Sequence, residues 1–159
     1  MCCEEFEEYI PCQVTLTGIG KVEHLDNAGS VPVAPVGGVV SRQAYMLRIP
    51  LDFEYEKEIV EGTYYEYILT DTIANIQIIS LTAYDESHPA GTDVNELFMN
   101  YPLRQEDQLT DYKYGYMYGT VFYKIPRTLP QAGVHRFKVV VTTRKGEEFT
   151  KETDEITMQ

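Results

Sequence analysis

The sequence predicts a mainly β protein, an antiparallel sandwich of about seven to nine strands with one short helix. Three observations carry this expectation. Apolar residues recur with period two, most clearly at Tyr45, Leu47, Ile49, Leu51 and Phe53. Clusters of Gly, Pro, Asn and Asp punctuate the chain at sandwich spacing. Aromatic content rests on 13 Tyr and 6 Phe with no Trp, and tyrosine suits a pleated, half-buried surface.

Residues 1–11 read as an acidic N-terminal tether and 12–159 as a single β-sandwich domain, as a chain of 159 residues leads one to expect. Cys12 to Thr17 alternates, with Val14 and Leu16 on one side and Thr15 and Thr17 on the other. Gly18-Ile19-Gly20 then interrupts as a bulge before Val22. Residues 26–38 are rich in Pro, Gly and small side chains and form a long surface loop. Tyr45 to Phe53 is a long strand, with Met46, Arg48, Pro50 and Asp52 on its far face. Pro50 lacks a ladder donor, which predicts an edge strand or a bulge there.

Tyr64 to Leu69 reads as a further strand. Ile73 to Tyr84 is the most apolar stretch and is expected to be central and buried on both faces. Asp85 to Gly91 is turn chemistry, after which Thr92 or Asp93 caps a short helix from Val94 to Met99, ended by Pro102. Strand-like sequence returns over Tyr112–Ile125 and over Gly133–Thr143, where Phe137, Val139 and Val141 point inward. A three-residue loop, Arg144-Lys145-Gly146, sets Phe149 opposite Val141, because a slip of one residue would expose the apolar set. Phe149 and Ile156 have opposite parity, so the last strand must break near Thr153.

Charge narrows the choice of partners. The net charge is -12 and the isoelectric point about 4.6. Nucleic acid and anionic lipid headgroups are recognised through clustered Lys and Arg, and the sequence holds no such cluster. No apolar run approaches the ~18–20 residues of a membrane helix. Three cysteines leave an odd thiol, which lipidation of Cys2 or Cys3 explains.

Catalytic signatures do not converge. His24, His88 and His135 are far apart, and no Gly-x-Ser-x-Gly elbow is present. Cys12 is a formal nucleophile, but a lone strand cysteine ordinarily behaves as a small buried hydrophobe. Gly18-x-Gly20 lacks both the third glycine and a following helix, so no dinucleotide cofactor is expected. Adjacent acidic pairs such as Glu106/Asp107, Glu147/Glu148 and Asp154/Glu155 point to opposite faces of a strand, unlike the facing carboxylates of glycosidases. Asp85, Glu86 and Asp93 could gather around calcium, though neither a metal nor a cofactor is the expectation. The sequence therefore reads as a non-enzyme.

One surface constellation stands out. Tyr112, Tyr114, Tyr116 and Tyr118 share a face if their segment is extended. Such a row can stack on sugar rings or meet a protein, each ring offering a flat apolar face and a polar tip. The plainer expectation is that these rings cover a sheet or pack against the Tyr64–Tyr67 strand.

Cys2-Cys3 followed by Glu4, Glu5, Glu7 and Glu8 resembles the mature start of Bacteroides-type lipoproteins. In that group, acidic residues after the lipidated cysteine accompany display on the outer surface. The Pro89-Ala90-Gly91-Thr92-Asp93 turn leading to Glu96-Leu97-Phe98 is similar to small, uncharacterised lipoproteins of those gut bacteria. So is the closing segment from Phe137-Lys138-Val139 through Lys145-Gly146 to Glu155-Ile156-Thr157. The resemblance implies an immunoglobulin-like sandwich tethered to the outer membrane through Cys2 or Cys3, and it brings no catalytic residue. An exported chain of this layout would have lost a leader upstream, Met1 then being foreign to the gene.

The functional expectation is a surface-exposed module that binds a protein or glycan, or serves a structural role, with membrane contact only through its lipid. A glycan-binding protein using the tyrosine row and a pilus-like assembly subunit are the alternatives, and a hydrolase is less favoured.

Overall fold

The computed structural model describes residues 8–101 and 121–159, and these are mainly β. The strands are β1 (Ile10–Ile19), β2 (Glu23–Asp26), β3 (Val39–Val40), β4 (Tyr45–Tyr55), β5 (Tyr65–Leu69) and β6 (Ile73–Ser80). They continue as β7 (Phe98–Asn100), β8 (Val121–Pro126), β9 (Gly133–His135), β10 (Phe137–Thr143), β11 (Glu148–Glu152) and β12 (Ile156–Met158). The number exceeds the expected seven to nine because β3, β7, β9 and β12 are pieces of two or three residues.

The larger sheet has the order β5-β1-β4-β8-β7, with β2 also paired to β4. The other two sheets are β11-β10-β6 and β3-β12-β9. Tyr45, Leu47, Ile49 and Leu51 on one face of β4 share a single core cluster with Ile76 and Ile78 of β6 and Phe137, Val139 and Val141 of β10. This is a sandwich-like arrangement. Phe137 sits at its centre, with ring centroids 6.1 Å from Tyr45, 6.0 Å from Phe98, 6.4 Å from Tyr84 and 6.2 Å from His135.

Several expectations are corrected. The arrangement is not wholly antiparallel, since β5 lies parallel to β1 and β3 parallel to β12. Consecutive β4 and β5 run in opposite directions, but β5 passes beyond β1 before joining the sheet and so lands parallel to it. Next, the short helix expected over Val94–Met99 is a single 3-10 turn, Asn95–Leu97, followed at once by β7. Asp93 Oδ1 accepts from both Ile78 N (3.1 Å) and Asn95 N (3.0 Å), which ties the turn to β6 instead of starting a longer helix. Finally, β6 is not buried on both faces. It lies at the end of its sheet, flanked by residues 92–94 through Ser80 N to Thr92 O (3.0 Å) and Val94 N to Ile78 O (2.7 Å).

Pro50 lies in β4, an interior strand, and not at an edge. Gly20 N donates to Pro50 O at 2.9 Å. The missing Pro50 donor therefore faces the same side, where β1 has ended at Ile19 and β2 has not begun. A Cβ on Gly20 would sit 3.0 Å from Pro50 Cγ, so glycine allows the two backbones to meet. The bulge expected over Gly18-Ile19-Gly20 falls just before that stretch, as the β1–β4 register shifts between Leu16 and Gly18 while Gly18 and Ile19 pair with Asp52 and Leu51.

The final hairpin has the expected register, with Val141 opposite Phe149 and Gly146 at φ 91°. Beyond β11 the chain changes sheets. Thr153 replaces the ladder at that point, its N donating to Phe137 O (2.8 Å) while its Oγ1 accepts from Phe137 N (3.0 Å). The parity break near Thr153 is thus a strand crossing from β10 to β9.

Candidate functional site

The outward face of β4 builds the most ligand-like feature among the described residues. Tyr45 and Leu47 point into the core, so Met46 and Arg48 point out. Cross-strand pairing lines up Glu23, Arg48 and Tyr123 in one row and Leu25 with Met46 in the next. Tyr101 N donates to Tyr123 O at 2.9 Å, which extends the first row by another ring. The loop after β2 then folds back over this face. Asp26 and Val33 exchange backbone hydrogen bonds of 2.8 and 3.0 Å, and Asp26 Oδ1 accepts from Ala28 N at 3.0 Å. That turn brings Val31 and Pro32 to the rim.

The result is a groove of about 380 Å³ lined by Leu25, Val31, Pro32, Met46, Arg48, Tyr101 and Tyr123. Met46 forms a fully buried floor, while Tyr101 is 41% exposed. Ligand pockets generally pair an apolar lining with a few convergent polar groups, and this groove has that makeup. Arg48 Nη1 lies 3.9 Å from Glu23 Oε2, too far for a charge-assisted hydrogen bond, so both groups keep capacity for a ligand.

The histidines occupy three separate settings. His24 borders a smaller cleft of about 240 Å³ with Lys21, Glu23, Asp154 and Glu155. Its Nδ1 is 2.7 Å from Tyr45 Oη and its Nε2 is 2.7 Å from Asp154 O. The carbonyl can only accept, so Nε2 carries the proton and Nδ1 accepts from Tyr45. Burial lowers the His24 pKa, against an opposing pull from the Asp154 carbonyl. Burial also raises the Tyr45 phenol well above its usual value. Both groups stay neutral and fasten the chain near Thr153.

His135 is fully buried; its Nε2 donates to Gln131 O at 2.6 Å, while Nδ1 has no partner among the described residues. Its pKa is lowered by burial, against an opposing pull from the Gln131 carbonyl. His88 Nδ1 contacts Asp85 Oδ1 at 2.7 Å inside the turn at 85–88. Among the described residues, the hydrogen-bond partners of these histidines include no Ser or Cys side chain.

Asp93 spends Oδ1 on two backbone amides. Among the described residues no three His, Cys, Asp or Glu side chains gather as a metal site, so Asp85, Glu86 and Asp93 form no calcium cluster. Cys12 is completely buried on β1. The lipid-attachment candidates Cys2 and Cys3 lie outside the described residues, as do Tyr112, Tyr114, Tyr116 and Tyr118. In sequence, however, the tyrosine row lies between Tyr101 and Val121, and Tyr101 and Tyr123 both line the groove.

A family profile described as "Domain of unknown function (DUF5034)" matches residues 19–154. The chain belongs to the DUF5034 family. Every groove residue falls inside the DUF5034 span, whereas β12 and all of β1 but Ile19 fall outside it. No curated protein matches the sequence.

Proposed function

We propose that this DUF5034 chain is a lipid-anchored, surface-exposed binding module whose ligand occupies the groove on the outer face of β4. The observation that carries the reading is the groove's makeup: an apolar floor at Met46, two neighbouring phenol rings at Tyr101 and Tyr123, and Arg48 beside Glu23. Saccharides are the ligand class with matching chemistry. A sugar's C–H face stacks on a phenol ring, and its hydroxyls hydrogen-bond a guanidinium or a carboxylate. The sandwich would be immunoglobulin-like in the finer sense, and the location would be the outer membrane of a Bacteroides-type bacterium. The acidic stretch after Cys2-Cys3 supports that placement.

Affinity electrophoresis through gels carrying neutral polysaccharides tests the ligand. Tyr101→Ala and Tyr123→Ala should each weaken retention about threefold to tenfold, the worth of one aromatic contact. The fold should be undisturbed, because both rings lie on the outer face. A parent protein that no polysaccharide retards, or variants retained as well as the parent, would refute the saccharide reading.

The anchor is tested separately by mass spectrometry of protein taken from its native membrane. The expected N-terminus is an acylated Cys2 or Cys3, and an unmodified N-terminal peptide would remove the anchor. A pilus-like subunit would need copies of this chain to join one another, which a net charge of -12 opposes.

A further inference from the structure

Among the described residues, β5 is the outer strand of the larger sheet and pairs only with β1. Ile10 N donates to Tyr64 O at 2.9 Å and Thr70 N to Val14 O at 2.9 Å, which sets the even-numbered backbone groups toward β1. Alternation then turns the N–H and C=O groups of Tyr65, Tyr67 and Leu69 toward the free side. The described residues supply no strand there. Natural edges of this kind are commonly blunted with lysine, proline or a bulge, and Tyr65–Leu69 contains none of these.

The side chains around this edge make an aromatic shelf. By register, Tyr65 and Tyr67 share a face with Ile10, Cys12 and Val14. The Tyr67 ring lies 5.9 Å from Tyr65 and 5.7 Å from Tyr55, and on the opposite face, beside Glu66, Tyr9 lies 5.8 Å from Tyr64. Tyr9, Tyr55, Ile59, Val60, Tyr64 and Ile68 are all exposed.

Charge decides which occupant suits the shelf. Glu54, Glu56, Glu58, Glu61 and Glu66 are exposed in the same stretch, and among the described residues none of them forms an ion pair. The one lysine nearby, Lys57, turns its Nζ to Pro11 O at 2.6 Å. Glu66 points to the sheet face opposite Tyr65 and Tyr67. A strand added beside β5 would therefore lay one set of side chains toward the tyrosines and the alternate set toward Glu66. A second copy of this chain would bring like charges together across the new pair, which is destabilising.

We infer that the free edge of β5 receives an extended segment of a cationic partner protein as an added strand. Apolar side chains of that segment meet Tyr65 and Tyr67, and its alternating Lys or Arg side chains meet Glu66 and the neighbouring glutamates. This surface is independent of the groove and of the saccharide reading.

Calorimetry with synthetic peptides tests it on the whole chain. A peptide alternating lysine and valine should bind, with affinity falling as salt rises. N-methylation of alternate amides, made in either of the two phases, blocks one hydrogen-bonding edge at a time. One of the two methylated peptides should lose about tenfold or more in affinity. Glu66→Lys, an exposed substitution, should weaken the lysine peptide and admit one alternating glutamate and valine. Equal binding by both methylated peptides would exclude strand addition, and indifference to Glu66→Lys would exclude the cationic partner. Displacement of the peptide by an oligosaccharide, or by dimerisation of the chain, would assign the shelf to those occupants and overturn the proposal.

Discussion

Phe137→Ala is expected to lower the free energy of unfolding by about 3–5 kcal/mol, the range for deleting a buried phenylalanine ring. Phe137 is fully buried at the start of β10 and meets the rings of Tyr45, Tyr84, Phe98 and His135. Its neighbours are themselves tied down, Tyr45 to His24 and His135 to Gln131. They cannot collapse into the cavity without breaking those hydrogen bonds, which places the cost toward the upper end. Urea unfolding reads the effect as a fall in midpoint at constant slope. A loss below about 1 kcal/mol would show that the centre of the core lies elsewhere.

Lys124→Met is expected to act in the opposite direction. Lys124 follows the inward parity of Phe122 on β8 and is 8% exposed. Its Nζ lies 5.9 Å from the Phe122 ring centroid, and the ion pairs among the described residues do not include it. Across the ladder stands Asn100, whose buried Oδ1 has no partner among the described residues. Burial pushes the Lys124 pKa from 10.5 down to about 8. A depressed amine takes its proton in the unfolded chain first, so stability is lost as pH falls from 10.5 to about 8. Below that window both states are charged and the penalty stays constant, on the order of 3 kcal/mol.

Methionine fills similar space without the charge, so the variant should be more stable at pH 7 by on the order of 1–3 kcal/mol. At pH ~9.5 the gain should fall by about 2 kcal/mol, since about 1.5 pH units of the window have then been crossed and each is worth about 1.4 kcal/mol. A variant less stable than the parent at pH 7 would mean that the ammonium is satisfied and contributes to the fold.

The sequence exposed the core faces well and the site poorly, for a physical reason. Alternation is local, so Tyr45, Leu47, Ile49 and Leu51 declare their shared side without reference to any partner strand. The same rule put Met46 and Arg48 on the far side and so exposed half of the groove in advance. The other half depends on pairing between distant segments, Tyr101 with Tyr123 and Asp26 with Val33, which no local pattern encodes. Pro50 misled because a missing donor can also be placed where the neighbouring strand is interrupted. At Val94–Met99 the apolar spacing suited a helix, but Asp93 reached back to Ile78 on β6 and left room for one turn only. The final hairpin was legible because Gly146 and the parity of Phe149 permit a single register.

β12 threads between β3 and β9, pairing Thr157 with Val39 and Ile156 with His135. Arg42 N then donates to Gln159 O and Gln159 N to Val40 O, each at 3.0 Å. β12 thus closes a pairing with β3 across more than a hundred residues of chain, while its other neighbour, β9, lies close to it in sequence. Loop-closure entropy opposes a contact of such long sequence separation until its strands pair, which places the β3–β12 seam among the slower contacts to form. A cut in the chain just ahead of β12 would therefore part β3 from β9 while leaving the groove and the β5 edge in place.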